Sequence, residues 1–234
     1  MAKPKRRRIV LMRHGSVTYF DETGKPHPPD EVPLNDQGRL QATAAGKLLA
    51  TESMHFDRVI ISGLPRTVET AQRVLAETGQ MISPERWPEL EEIRGGRLSA
   101  IPDDMLTEAF TGAFSGVASE DTCFLGGETV GQLMDRVYPF IDRLRDDPDW
   151  DTVLLVLHGG INRAILSYAL TGQRLFLGNL AQTAGCINIL DVGQAPGDWV
   201  VRIVNHSPLA GLQNGTRSTT METLLAQYRR SRGL

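Results

Sequence analysis

The 234 residues lack any apolar run that approaches the length of a membrane span, so a membrane-crossing role is not expected. Cysteine is nearly absent: Cys123 and Cys186 stand far apart and form no C-x-x-C pair, which excludes a disulfide framework or a zinc ribbon and leaves two ordinary buried thiols as the expectation. An excess of one charge sign is also missing, with 25 basic against 28 acidic residues and a net charge of −3. That balance gives no case for a nucleic-acid partner, and any attraction to anions must be local. The one basic run, Lys3-Pro4-Lys5-Arg6-Arg7-Arg8, reads as a solvated tail. It imitates a signal peptide for a moment, but the apolar stretch behind it stops after four residues at Arg13. A cytoplasmic chain without a membrane anchor is expected.

What is present is a hydrophobic fraction of 41%, enough for one large domain or two small ones. Short apolar runs at Ile9 to Met12, Val59 to Ile61, Val153 to Leu157, Cys186 to Leu190 and Trp199 to Val204 read as strands. Between them, helical spacing covers Leu40 to Ala50, Val68 to Leu75, Val130 to Leu144 and Ile161 to Leu170, the last ending on Gly172. Pro139 falls inside the third of these and predicts a kink or a break. Strands alternating with helices predict an α/β sandwich around a largely parallel sheet.

Two stretches depart from this rhythm. Residues 97–126, rich in small residues, read as an insertion with one weak helix around Asp103 to Phe110, either a lid or a plain surface excursion. At the end of the chain, Met221, Leu224, Leu225 and Tyr228 share one helical face, as in a helix closing onto the body or one making a homodimer contact.

In parallel sheets, ligands sit beyond the carboxyl ends of the strands. Three such ends carry cationic or potentially cationic side chains: Arg13-His14-Gly15, Ser62-Gly63-Leu64-Pro65-Arg66, and His158-Gly159-Gly160. Pro65 suits the first turn of a helix and so places Arg66 beside unpaired backbone N–H groups. Gly15, Gly159 and Gly160 leave room for a close approach to the backbone. Two arginines, two histidines and two helix N-termini on one sheet edge would suit a tetrahedral dianion.

These elements, with Thr70-Ala71, Leu90-Glu91-Glu92, Gly96, Leu34-Asn35, Gly38, Gln41-Ala42 and Gly127-Glu128-Thr129, resemble in order the histidine phosphatase superfamily, which includes cofactor-dependent phosphoglycerate mutases. The resemblance spans roughly residues 9 to 170. It implies one three-layer α/β/α domain over residues 1–234, with 97–126 as a cap. It also implies phosphoryl transfer through a covalent phosphohistidine. His14 matches the family's nucleophile, and Arg13, Arg66 and His158 match the residues that hold phosphate oxygens. Glu92, by the L-x-E pattern, is the candidate acid that protonates the leaving alkoxide and then activates water. No metal and no cofactor are implied.

The sequence departs from the family's pattern at Phe20, where Asn is frequent, and at Val17, where a hydroxyl is usual. Ser16 and Thr18 are the polar side chains left on that side. After Glu92, Gly95-Gly96 and Ser99-Ala100 also differ. The leading expectation is a phosphomonoesterase acting on a small phosphorylated metabolite. A phosphoglycerate mutase, a silent phosphate-binding module and a metallohydrolase are the alternatives; the last lacks any short H-x-H or H-x-x-x-H pair. His27 and His55 read as surface residues, and His206, after the last strand, as a possible neighbour of the site.

Overall fold

Alternation along the strands decides which helices cover which face of the sheet. The computed structural model describes residues 6–212, 215 and 217–234, so Lys3, Pro4 and Lys5 of the basic run lie outside the described residues. Its strands are β1 (Arg7–Arg13), β2 (Arg58–Ile61), β3 (Glu85–Arg86), β4 (Val117–Ala118), β5 (Thr152–Leu157), β6 (Phe176–Leu177), β7 (Ile187–Val192) and β8 (Trp199–His206). Its α-helices are α1 (Asp36–Thr51), α2 (Pro65–Thr78), α3 (Leu106–Thr111), α4 (Val130–Asp146), α5 (Gly159–Thr171) and α6 (Thr220–Ser231).

The main sheet has the order β3-β2-β5-β1-β7-β8, with β4 and β6 forming a separate pair. The first four strands of that order run parallel, while β7 lies antiparallel to β1 and β8 antiparallel to β7. The expected mostly parallel sheet is therefore closed at one edge by a hairpin. On one face, Ile9, Leu11, Val153, Leu155 and Leu157 pack with α4 and α5. The residues between them, Val10, Met12, Leu154 and Val156, pack with α1 and α2. This two-residue alternation inside continuous apolar runs produces the α/β/α layers.

One detail narrows an expectation and another differs from it. Helix α4 runs through Pro139 to Asp146 without a break, because Val137, Phe140, Ile141 and Leu144, on both sides of the proline, are buried in the same core. Cys186 is buried as expected, but Cys123 is exposed, in the loop before α4. Gly172 caps α5 with φ +65°, the left-handed conformation predicted for it.

The insertion and the terminal helix meet each other. Ile101, Leu106 and Phe110 form a small core with Leu225 and Tyr228 of α6, and Phe20 packs against it. The terminal helix thus closes onto residues 97–126. Among the described residues, no helix is long and apolar enough to cross a membrane.

Candidate active site

Strand β1 leads to α1 on one face of the sheet, and its neighbour β5 leads to α5 on the other. A crevice opens where neighbouring connections diverge in this way. Arg13 and Leu157 are register partners, so His14 and His158 emerge side by side from adjacent strands. Their ring centroids lie 5.1 Å apart at an interplanar angle of 65°. The backbone N–H of His14 donates to Leu157 O at 2.9 Å, which ties the two strand ends together.

His14 Nδ1 lies 2.7 Å from the carbonyl oxygen of Gly15. A carbonyl only accepts, so Nδ1 carries the proton and Nε2 keeps its lone pair whenever the ring is neutral. Burial, followed by the charges of Arg66 and Arg13, pushes the His14 pKa well below the usual imidazole range, against a smaller opposing effect of the Gly15 bond. His158 is pushed down in the same way by burial, and then by His14, Arg66 and Arg13. Both rings are neutral at neutral pH.

Arg13 is fixed through one nitrogen. Its Nη1 donates to Gln182 O and, at 3.1 Å, to Thr220 Oγ1 in the first turn of α6. Arg66 sits in the first turn of α2 behind Pro65, as its sequence predicted, and its Nη1 donates to Pro29 O at 2.6 Å. Nε of each arginine is buried without a partner, and so is Nδ1 of His158. The Nε2 of that ring lies 2.8 Å from Ser62 Oγ. Buried polar atoms rarely stay unpaired, and three gathered in one crevice mark a place built for an acceptor-rich ligand.

Glu92 is no solvated loop residue. Its carboxylate accepts from the N–H of Gly160 at 3.0 Å and from that of Ile93 at 3.0 Å, which holds it at the N-terminus of α5. A Cβ on Gly160 would lie 2.6 Å from Glu92 Oε1. The glycine expected to admit a ligand therefore makes room for this carboxylate. Gly15 has a similar role toward the protein: a Cβ there would lie 2.3 Å from Gly38 O, so the missing side chain lets α1 approach β1. The Cβ position of Gly159 faces Arg13 Nε at 3.5 Å.

The other landmarks act through these residues. Asn35 caps α1 by accepting from Gly38 N, and Gln41 Oε1 accepts from Ser16 N at 2.8 Å. Glu128 pairs with Arg136 at 2.7 Å, and Arg136 donates to the carbonyls of Glu89, Glu91 and Glu92. The loop carrying Glu92 is thus clamped from behind.

Two cavities flank Arg13. One, of about 720 Å³, is lined by His14, Ser16 and Thr18; the other, of about 790 Å³, is lined by Arg66, Glu92, Gly159 and Gly160. Arg13, Thr220, Phe20 and Leu224 line both. Exposed His27 borders the second cavity, His55 is on the surface, and His206 pairs with Ile187 at the end of β8 and lines neither. The backbones of Val17 and Phe20 bridge to Leu34 and Pro26, which folds the loop back on itself, and both side chains line the first cavity. Among the described residues, no group of three or more His, Cys, Asp or Glu is placed to hold a metal ion.

Several residues escaped the sequence reading. Thr220 is one. Arg163, half-buried, with its pKa lowered by desolvation to about 10, donates to Gly159 O and Gly178 O and lines the second cavity. Behind Arg13, the side chains of Gln182, Asn188 and Asn162 form a buried hydrogen-bonded cluster. Asn188 was visible in principle, as an amide inside the apolar run Ile187-Asn188-Ile189-Leu190. Thr220 carried no such signal.

Fold and crevice together define an α/β protein with a histidine-centred cationic site at the switch point of its sheet. The chain belongs to the histidine phosphatase superfamily, branch 1, whose family profile matches residues 9–206. It is 32% identical over 162 residues to a 2,3-bisphosphoglycerate-dependent phosphoglycerate mutase of Rhizobium etli, covering 67% of this chain and 77% of the relative. It is 31% identical over 163 residues to a metal-independent phosphoserine phosphatase of Arabidopsis thaliana, covering 67% and 66%. The alpha-ribazole phosphatase of Shigella flexneri shares the fold, with a TM-score of 0.65, 23% identity, and coverage of 85% of this chain and 96% of that one.

Proposed function

We propose that the protein is a phosphomonoester hydrolase that works through a covalent phosphohistidine on His14. The carrying observation is the set of buried, unpartnered nitrogen atoms, Arg13 Nε, Arg66 Nε and His158 Nδ1, beside the lone pair of His14 Nε2. A phosphate dianion would supply acceptors to all three. In this reading the Ser62 hydroxyl, 2.8 Å from His158 Nε2, donates to that nitrogen when phosphate is bound, so that the neutral ring directs an Nδ1 proton at the phosphate.

In this reading, Nε2 of His14 attacks phosphorus while the ester P–O bond breaks, and Glu92 gives its proton to the leaving alkoxide. Arg13, Arg66 and His158 stabilise the charge on the equatorial oxygens. Glu92, now a carboxylate, takes a proton from water as that water attacks phosphorus, and the N–P bond breaks to release inorganic phosphate and His14. Ser16, in the first cavity, and Gly159, in the second, approach the phosphate from the two sides of Arg13. Residues 97–126 act as a cap, together with α6. A small phosphorylated molecule is the partner, with no nucleic acid required.

A phosphoglycerate mutase is the second reading, favoured by the similarity to the Rhizobium etli enzyme. The deciding experiment compares wild type with His14→Ala on a panel of phosphomonoesters, with and without chelator. Chelator-resistant release of phosphate, an acid-labile phosphoenzyme, and loss of both in the variant are expected. A fully active His14→Ala protein overturns the mechanism, and phosphoglycerate interconversion with little hydrolysis selects the mutase.

A further inference from the structure

The chain holds only seven Phe and four Tyr, yet Tyr19, Phe20, Phe110, Phe114, Phe124 and Tyr228 all line the cavity beside Arg66 and Glu92. They come from three separate regions: the loop after β1, the insertion 97–126, and α6. Tyr228 is the joint, stacked on Phe110 with centroids 5.8 Å apart and tilted against Phe20 at 6.4 Å. Opposite them, Phe114 meets Phe124 edge to face at 5.6 Å.

A volume of about 790 Å³ is far more than a phosphate needs and falls in the range of cavities that enclose whole organic ligands. The charged groups nearest the catalytic residues and the mouth sit at two places, while His27, Asp30, Ser99, Thr219 and Thr220 also contribute to the lining. Arg13, Arg66 and Glu92 form the phosphate end, and the exposed Arg94 and Arg97 stand at the mouth, where Arg94 pairs with Glu91. Arg163 is held by two carbonyl oxygens and lies over the Phe114 ring at 4.8 Å. Much of the remaining lining is aromatic and aliphatic. An apolar body placed against the aromatic side of the cavity would release poorly bonded water there, which a sugar or glycerate body would do far less.

We infer that the substrate is a phosphomonoester whose alcohol portion is a large apolar or aromatic group, seated between α3, α6 and the loop after β1, with only its phosphate end charged. This inference rests on the phosphatase reading and specifies its substrate class. The position of Phe20 then has a function: where the family frequently carries Asn, this chain carries a ring that extends the apolar wall. The cap and α6 set specificity by what they enclose.

The test compares esters that share a primary-alkoxide leaving group, so that the chemical step stays nearly constant. 2-(2-Naphthyl)ethyl phosphate, ethyl phosphate and glycerol 3-phosphate are assayed for kcat/KM, and their binding to His14→Ala is measured by calorimetry. The naphthyl ester is expected to exceed the other two by about 100-fold in kcat/KM, the size expected for burying a bicyclic ring. Phe20→Ser and Leu224→Ser, at half-buried positions, should each cut that ratio about fivefold or more, and melting curves verify that both variants fold. Equal kcat/KM for all three esters, or preference for glycerol 3-phosphate, overturns the inference and leaves the phosphatase reading intact. Should no ester turn over while the naphthyl ester still binds far more tightly than ethyl phosphate, the phosphatase reading falls and with it the substrate, while the chamber's preference for an apolar phosphate ester is upheld as a binding preference. Absence of both turnover and binding preference overturns the two together.

Discussion

Arg13 Nη1 donates to Thr220 Oγ1 across 3.1 Å and 207 residues of sequence, joining the end of β1 to the start of α6. Because Gln182 O takes a second bond from the same nitrogen, Arg13 is anchored through Nη1, and its Nε and Nη2 edge carries no hydrogen bond among the described residues. That edge is the one a guanidinium uses for bidentate contact with phosphate. Thr220 is thus a positioning residue, and it makes the terminal helix part of the site.

Thr220→Val removes the acceptor while keeping the shape of the side chain. Losing one hydrogen bond to a charged group costs about 1.5–3 kcal/mol, so inhibition by phosphate or vanadate should weaken by at least about tenfold. Thr220→Ser should restore most of it. If Val and Ser behave alike, the hydroxyl does not hold Arg13.

Glu92 should reveal itself through the leaving group. Glu92→Gln keeps acceptor capacity toward Gly160 N but has no acidic proton to give. Esters of poor leaving groups should slow by about 100-fold or more, and aryl esters with good leaving groups far less. The clamp behind it adds a control: Arg136→Leu removes the donor that ties the carbonyls of Glu89, Glu91 and Glu92, and should lower kcat for the same poor leaving groups. Equal losses for good and poor leaving groups would deny Glu92 the role of acid.

The residues legible in the sequence were those fixed by chain geometry. His14, Arg66 and His158 each lie within a few residues of a strand end, and a strand end in a parallel sheet has a known relation to the crevice. Glu92 was reached through a resemblance, and the reason for its position, the N–H of Gly160, lies in another element. Thr220 was invisible because nothing local distinguishes it from any other threonine in the first turn of a helix. The aromatic chamber was hidden for the same reason. Phe110 and Tyr228 each read as one apolar position on a short helix, and only the docking of α6 on α3 turns them toward a common space. Phe20 read as a departure from a pattern, and its use appears only beside Tyr228. At Pro139 local geometry allowed a break or a kink, and the continuous buried face on both sides of the proline excludes the break.

His14 and His158 should make the fold sensitive to acid. Both are buried and neutral, with folded-state pKa values well below that of an exposed imidazole, about 6.5. The unfolded chain therefore binds protons that the folded chain refuses once pH falls below about 6.5, and stability drops through that window until the depressed folded values are reached. Each histidine contributes a slope of about 1.4 kcal/mol per pH unit. Urea midpoints measured between pH 7 and pH 5 should fall steeply in the ligand-free protein, and His158→Gln should shallow the slope by about one proton. Phosphate should oppose the loss, because its charge on the crevice favours the protonated rings. A wild-type stability that is flat from pH 7 to pH 5 would mean that the rings titrate alike in the folded and the unfolded chain, and would remove the burial-enforced neutrality of Nε2 on which the proposed attack depends.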